Sequence, residues 1–213
     1  PKADSTGSLC QGKKITTVLD AIRDKGNDVS LEDIVTIGDG GVICIEAGGP
    51  TPGVGCAGRG IITAFEKMES LHAFDIYQPD IVIYDVLGDV VCGGFAMPIR
   101  NGYARNVFVV TSGEKMALYA AGNIAIAVDN FKARGYASLK GILLNRRNVE
   151  DELEKVEEFA DNIDSKIVSV IPRDPIVQEA EALGKTVVFA FPESEMAGVY
   201  RTMARQVLEV CEP

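Results

Sequence analysis

The sequence predicts an α/β protein built in three layers, with a mostly parallel sheet flanked by helices. Three observations carry that expectation. Short β-rich runs alternate with amphipathic stretches through the middle and end of the chain. Several runs are nearly continuous in Val, Ile and Leu, the pattern of parallel strands covered on both faces. The stretches between them repeat their apolar residues at helical spacing.

Strands are expected at 42–46, 80–84, 107–111, 141–144, 167–171 and 187–191. A helix over 150–163 places Leu153, Val156, Ala160 and Ile163 on one stripe opposite a charged face, and 193–210 does the same with Met196, Tyr200, Met203 and Val207. The Ala-rich stretch 114–134 ends before Gly135, a helix stop. Residues 1–213 show no repeat, low-complexity tract or linker, so they read as a single domain. In such sheets ligands bind beyond the carboxyl ends of the strands. That rule directs attention to Asp85, Ser112, Asn145 and Arg173–Asp174.

Bulk properties narrow the function. The chain has 213 residues, 46% hydrophobic and 24% charged, with a net charge of −10. So acidic a surface argues against sequence-independent nucleic-acid binding, which depends on Lys and Arg contacts to phosphates. It does not exclude a nucleotide, which a few local amides and one lysine can hold. No apolar run reaches the ~18 residues of a membrane helix, so the expectation is a cytoplasmic protein without a membrane segment. The single histidine, His72, closes Ser–His–Asp and HExxH chemistry and reads as a surface or packing residue. Five cysteines (Cys10, Cys44, Cys56, Cys92 and Cys211) fit thiols or cluster ligation better than a disulfide framework.

Two constellations carry the chemistry. GGPTPGVGCAGRG, Gly48 to Gly60, holds six glycines and two prolines around Cys56, just before a helix beginning near Arg59. A thiolate there gains from the helix dipole and from unhindered backbone N–H groups. A tight turn around an inert buried cysteine would leave the same pattern. YDVLGDVVCGGFAMP, Tyr84 to Pro98, joins Asp85 at a strand end, where a carboxylate suits magnesium, to Gly88, whose N–H suits a terminal phosphate. Cys92 follows among glycines; the competing reading is a plain strand end and glycine turn.

A 4Fe–4S cluster takes four thiolates, and only Cys56 and Cys92 sit in such loops. Cys44 in a strand and Cys211 on the last helix read as packing residues, while Cys10 stays open as a ligand. Two ligands per chain become four across a twofold axis, so a homodimer with one bridging cluster is expected. PKADST, Pro1 to Thr6, offers Lys2, Asp4 and hydroxyls for phosphate or Mg²⁺. Asn145 in NRRN and Pro172–Asp174 in PRD could read an adenine edge or ribose, or equally serve as turns and helix caps. No G-x-x-x-x-G-K-[ST] occurs; the GKT at 184–186 has Glu179 where the first glycine should stand. The expectation is therefore that an N-terminal strand–loop–helix unit, on the order of 30 residues, precedes Pro1. The 213-residue chain alone is then expected not to hydrolyse ATP.

PKADST, GGPTPGVGCAGRG, YDVLGDVVCGGFAMPIR, NRRN and PRDPIVQEAE, in this order, closely resemble the nitrogenase iron-protein family, over essentially the whole chain. The resemblance implies a P-loop NTPase-like fold whose N-terminal strand and phosphate loop are absent here. It implies that Cys56 and Cys92 ligate the shared cluster, one per dimer. Lys2 and Asp4 would belong to a first nucleotide switch, and Asp85 and Gly88 to a second that reports to Cys92. Asn145, Pro172, Asp174 and Gln178 would line the adenosine pocket. Arg59 and Arg100 would lie on the docking face, with Arg59 reversibly ADP-ribosylated in some relatives. The implied activity is MgATP-driven electron transfer to a larger, dinitrogenase-like metallocluster protein, with ferredoxin or flavodoxin as donor. Gly7 and Ser8 stand where the family often has Arg-Leu, and Asn101 and Tyr103 depart from its usual acidic and lysine residues. Relatives serve nickel-tetrapyrrole cyclases, double-cubane proteins and sulfur-compound reductases. Partition-type ATPases of the same superfamily are switches without the two cysteines.

Overall fold

The computed structural model describes residues 4–49, 57–88, 99, 103–132 and 136–211, with only the backbone of Ala57 and Arg59. Along the chain run α1 (Val18–Lys25), α2 (Leu31–Ile34), β1 (Thr36–Ile37), β2 (Ile43–Cys44), α3 (Ala57–Ser70) and α4 (Ala73–Tyr77). There follow β3 (Asn106–Thr111), α5 (Lys115–Lys132), β4 (Ser138–Asn145), α6 (Glu152–Asn162) and β5 (Ile167–Ile171). Last come α7 (Ile176–Ala182), α8 (Val187–Ala190) and α9 (Glu195–Cys211). The chain forms two compact units. One comprises Pro1–Leu87, Val91–Met97 and Val177–Ala190, and the other Gly88–Val90, Pro98–Ile176 and Phe191–Pro213.

The second unit follows the sequence pattern closely. Its strands form a parallel sheet in the order β3–β4–β5. Parallel neighbours need a crossover, and α5 and α6 supply it. Alternate residues of β4, Ile142 and Leu144, are fully buried with Val156 and Ala160 of α6, and Leu118, Phe159, Ile163 and Ile167 pack against them. One departure stands out in α6. Leu153, expected on the apolar stripe, is 43% exposed, and its neighbour Glu152 is buried instead. The reason is local: the carboxylate of Glu152 has backbone partners in two loops, described below.

The first unit departs further. Residues 42–46 contribute only the short β2, paired antiparallel with β1. Residues 80–84 form no strand, and Ile81 and Ile83 are 59% and 86% exposed. A strand exists through its ladder, and among the described residues this run has no ladder partner. Residues 187–191 are also not a strand, for Val187–Ala190 is a single helical turn closed by Phe189 and Ala190 N–H bonds to the Thr186 carbonyl. A run of four or five apolar residues does not by its periodicity separate strand from buried helix. α1 is better specified. Thr17 caps it, its hydroxyl accepting the Asp20 N–H at 3.1 Å and donating to the Asp20 carboxylate at 2.8 Å.

Candidate functional site

In the first unit the tail of PKADST meets two acids from distant parts of the chain. Ser5 and Thr6 lie in a turn just ahead of a short 3-10 segment, and their side chains meet different acids. Ser5 Oγ donates to Asp85 Oδ2 at 2.5 Å. Thr6 donates twice to Glu46 Oε1, from its backbone N–H at 2.9 Å and its hydroxyl at 2.8 Å. Asp85 is exposed, as Asp4 is, whereas Glu46 is only 5% exposed. A carboxylate so far out of water needs donors of this kind. The carboxylates of Asp4 and Asp85 and the Ser5 hydroxyl are hard oxygen donors, the chemistry that Mg²⁺ takes.

The stem of the glycine-rich loop is fixed in the same unit. The Glu46 carbonyl accepts the Val18 N–H at 2.8 Å, and the Ala47 carbonyl accepts the Leu19 N–H at 3.2 Å. Gly48 has φ +80°, and a Cβ there would meet Thr17 Oγ1 at 2.3 Å. No other residue fits that approach. On the far side of the loop, a Cβ on Gly60 would meet Leu19 Cδ1 at 2.8 Å and the Gly48 carbonyl at 3.7 Å. Cys56 itself, with Lys2, Cys92 and Arg100, lies outside the described residues, and of Arg59 only the backbone, in the first turn of α3, is described. The helix expected to start near Arg59 begins at Ala57.

The other cysteines are placed. Cys10 and Cys44 are buried and share a small apolar cluster with Ile15. Burial and the neighbouring Cys10 push the Cys44 thiol up to about 11. Cys44 is thus a packing residue as expected. Cys211 is a free thiol on α9. Among the described residues no group of three or more His, Cys, Asp or Glu side chains could hold a metal ion. His72 is a surface residue, its Nδ1 3.3 Å from Asp75.

In the second unit the carboxyl ends of β3, β4 and β5 come side by side. Asn145 pairs with Ile171, so it stands next to the start of the Pro172–Asp174 segment, and the Arg146 N–H donates to the Ile171 carbonyl at 2.9 Å. Asp174 accepts the Ile176 N–H at 2.9 Å, the capping role weighed for it above. Asn145, Pro172, Asp174 and Gln178 are all exposed; Gln178 lies on the part of α7 that belongs to the first unit. Gly88, in the second unit, has Ile124 as its neighbour, 3.8 Å from a Cβ built there. A hollow of about 560 Å³ opens beside the strand ends, lined by Gly113, Glu114, Lys115, Leu118, Val149 and Lys155.

Glu152 ties these loops together. Its Oε1 accepts the N–H groups of Gly113 at 3.1 Å and Arg147 at 2.9 Å, and its Oε2 accepts the Asn148 N–H at 3.1 Å. Arg146 Nε stands 3.4 Å away. Burial pushes this carboxyl up, but the four donors outweigh it and hold it below the usual carboxylate range. Gly113 is required by the same packing, since its Cβ would meet Glu152 Cγ at 2.7 Å. The hydroxyls expected in PKADST to meet phosphate or Mg²⁺ are those of Ser5 and Thr6, whereas sequence reasoning missed Glu46 and Glu152 as site residues. For Glu46 a signal existed, an acid at the end of the apolar run VICIE, the argument already used for Asp85. Glu152 looks like any helix-favouring acid in a first turn.

The chain is 50% identical over 211 residues to a nitrogenase iron protein of Methanospirillum hungatei JF-1, covering 98% of this chain and 74% of that protein. It is 47% identical over 210 residues to a nitrogenase iron protein of Methanococcus voltae, covering 98% and 75%. Among solved structures, the cell division ATPase MinD of Pyrococcus furiosus superposes with a TM-score of 0.65 at 19% identity, over 95% of this chain and 80% of that one. A ParA family ATPase from Chlorobium tepidum TLS gives 0.64 at 19%, over 97% and 81%. These structures share the α/β P-loop NTPase-like fold, a parallel sheet flanked by helices. Residues 1–213 match throughout the family described as 4Fe-4S iron sulfur cluster binding proteins, NifH/frxC family. By motif, fold and identity, the chain belongs to that family, the nitrogenase iron proteins.

Proposed function

We propose that the protein is the ATP-dependent reductase component of a nitrogenase, a homodimer passing electrons from a shared 4Fe–4S cluster to a dinitrogenase-like partner. The observation that carries this reading is the Ser5–Asp85 hydrogen bond, which joins two segments proposed as nucleotide switches. In this reading residues 1–213 act as a single switch domain. Lys2 and Asp4 contact phosphate and Mg²⁺, and Asp85 and Gly88 sense the terminal phosphate. Asn145, Pro172, Asp174 and Gln178 hold the adenosine.

Cys56 and Cys92 of each chain ligate the cluster, which supplies one-electron chemistry when bound. Arg59 and Arg100 meet the partner, and ferredoxin or flavodoxin is the donor. The Ser5 hydroxyl and the carboxylates of Asp4 and Asp85 reorganise when Mg²⁺ and phosphate arrive. The protein then shifts toward whichever dimer state binds nucleotide better.

The test is iron and acid-labile sulfide per chain, with native mass, on anaerobically reconstituted full-length protein. About two irons per chain in a dimer, lost in Cys56→Ser and in Cys92→Ser, is the expected result. About four irons in a monomer would overturn the shared ligation. No iron, with ATP-dependent dimerisation intact, would replace this reading by a partition-type ATPase switch. Electron delivery to a nickel-tetrapyrrole cyclase, a double-cubane protein or a sulfur-compound reductase, and not to a dinitrogenase, would keep the cluster and change the partner.

A further inference from the structure

We propose that Glu46 is a positioning residue that couples the Asp4–Thr6 loop to the stem of the Cys56 loop. Nucleotide state would then reach Cys56 by a route separate from the one running through Asp85 toward Cys92. The inference rests on the reading of Asp4 and Asp85 as nucleotide contacts and of Cys56 as a cluster ligand.

Three observations in the first unit support it. The dipeptide Ser5–Thr6 is a branch point, with Ser5 on Asp85 and Thr6 on Glu46. Glu46 is held at both ends. Its buried carboxylate accepts two Thr6 donors, and its own carbonyl accepts the N–H of Val18, the first residue of α1. Both arms of the segment containing Cys56 then rest on the same end of α1. Gly48 lies against Thr17, and Gly60 lies against Leu19 and the Gly48 carbonyl. Cys56 is ten residues beyond Glu46 in the chain.

The physical consequence concerns which link yields when the loop moves. Hydrogen bonds to a buried charge are costly to leave unmade, by several times thermal energy. A small displacement of Thr6, driven by Mg²⁺ or phosphate at Asp4 and Ser5, is therefore passed on to Glu46. From Glu46 it reaches a stem packed on α1, where Thr17 fills the space that a Cβ on Gly48 would take. Ser5 acts on Asp85 at the same time. One dipeptide thus addresses the segments leading to both proposed cluster ligands, so that both ligands respond to the same event.

Coupling between two sites is reciprocal: if nucleotide alters the cluster potential, oxidation alters nucleotide affinity by the same factor. The experiment measures the dissociation constant of MgATP for the full-length, cluster-loaded protein in its oxidised and reduced states. The variants are Glu46→Ala, Glu46→Gln, Thr6→Val and Thr6→Ser. In Glu46→Ala the ratio of the two constants is expected to fall toward one by about fivefold. Thr6→Val, which keeps its backbone donor, should lose part of the ratio. Glu46→Gln and Thr6→Ser, which retain an acceptor and a hydroxyl, should preserve it. Iron content and Tm identify any variant that fails to fold, and if Glu46→Ala fails, Thr6→Val against Thr6→Ser decides the matter. A wild-type ratio in folded Glu46→Ala or in Thr6→Val overturns the inference while leaving the proposed function intact. A wild-type protein whose MgATP affinity is indifferent to redox state overturns the underlying reading, and the inference with it.

Discussion

Ser5 and Asp85 stand 80 positions apart in the chain, yet the Ser5 hydroxyl donates to the Asp85 carboxylate at 2.5 Å. The contact ties the exposed carboxylate of Asp85 to Ser5, in the segment proposed above to meet Mg²⁺. Ser5→Ala leaves the carboxylate charge in place and removes its orienting partner. Losing such a partner costs about tenfold or more in metal affinity. The expected outcome is a rise of that size in the Mg²⁺ concentration needed for ATP hydrolysis by the full-length protein. Asp85→Asn should do more, lowering the maximal rate as well, and a Mg²⁺ titration of the ATPase rate checks both.

Glu152 should be the most sensitive acid in the second unit. Glu152→Ala strips partners from three backbone N–H groups and is expected to destabilise the protein by about 3 kcal/mol. Glu152→Gln, whose amide nitrogen cannot accept, should cost about 2 kcal/mol. Urea unfolding, with the midpoints compared at a common slope, measures both.

The same residue predicts a pH dependence of definite sign. The folded carboxyl lies below the ordinary value of 4.5, so on acidification the unfolded chain takes up the proton first. The stability it contributes is present above about pH 4.5 and is lost as the pH falls toward the folded value. In Glu152→Gln that part of the acid-side slope should be missing. A series of urea midpoints from neutral pH down to about pH 3 reveals it.

Cys44 should be nearly inert toward alkylation. The thiolate is the reactive form, and burial together with Cys10 holds the thiol near 11. At pH 8 its labelling by iodoacetamide should be about a hundredfold slower than that of an unperturbed thiol, recovering on unfolding. Mass spectrometry of the labelled peptides compares Cys44 with Cys211, which is half-buried and free.

Gly48→Ala should injure the cysteine loop more than the fold. The new methyl group faces Thr17 Oγ1 at 2.3 Å from a backbone with φ +80°. A strained left-handed residue costs about 1–3 kcal/mol, and displacing the Thr17 cap adds to it. Reduced iron retention with a modest fall in Tm is the expected result. Thr17→Gly introduced together with Gly48→Ala should restore part of the iron, because it removes the group that the methyl strikes.

The amino-acid sequence by itself determined the alternation from residue 106 to 171 and the helix Glu195–Cys211. There, the long amphipathic helices carry periodicity strong enough to specify element type, and alternation with them marks VFVVT and IVSVI as parallel strands. It also determined the family, because glycine-embedded cysteines and PKADST are local patterns whose chemistry depends on neighbours in the chain. Where the signal was short, it misled. The runs 80–84 and 187–191 are too brief for periodicity to separate strand from helix, and the first has no ladder partner among the described residues. Tertiary structure alone decided which acids would lose water. Glu152 is unremarkable in sequence and Glu46 is marked only by its place at the end of VICIE, since burial of a carboxylate depends on donors brought from Thr6, or from the loops after β3 and β4. Those donors are non-local, and their positions follow only once strands have paired and helices have packed. Leu153 and Glu152 exchange their expected places for that reason, because hydrogen bonds to a charge outweigh the burial of one leucine at the end of a helix.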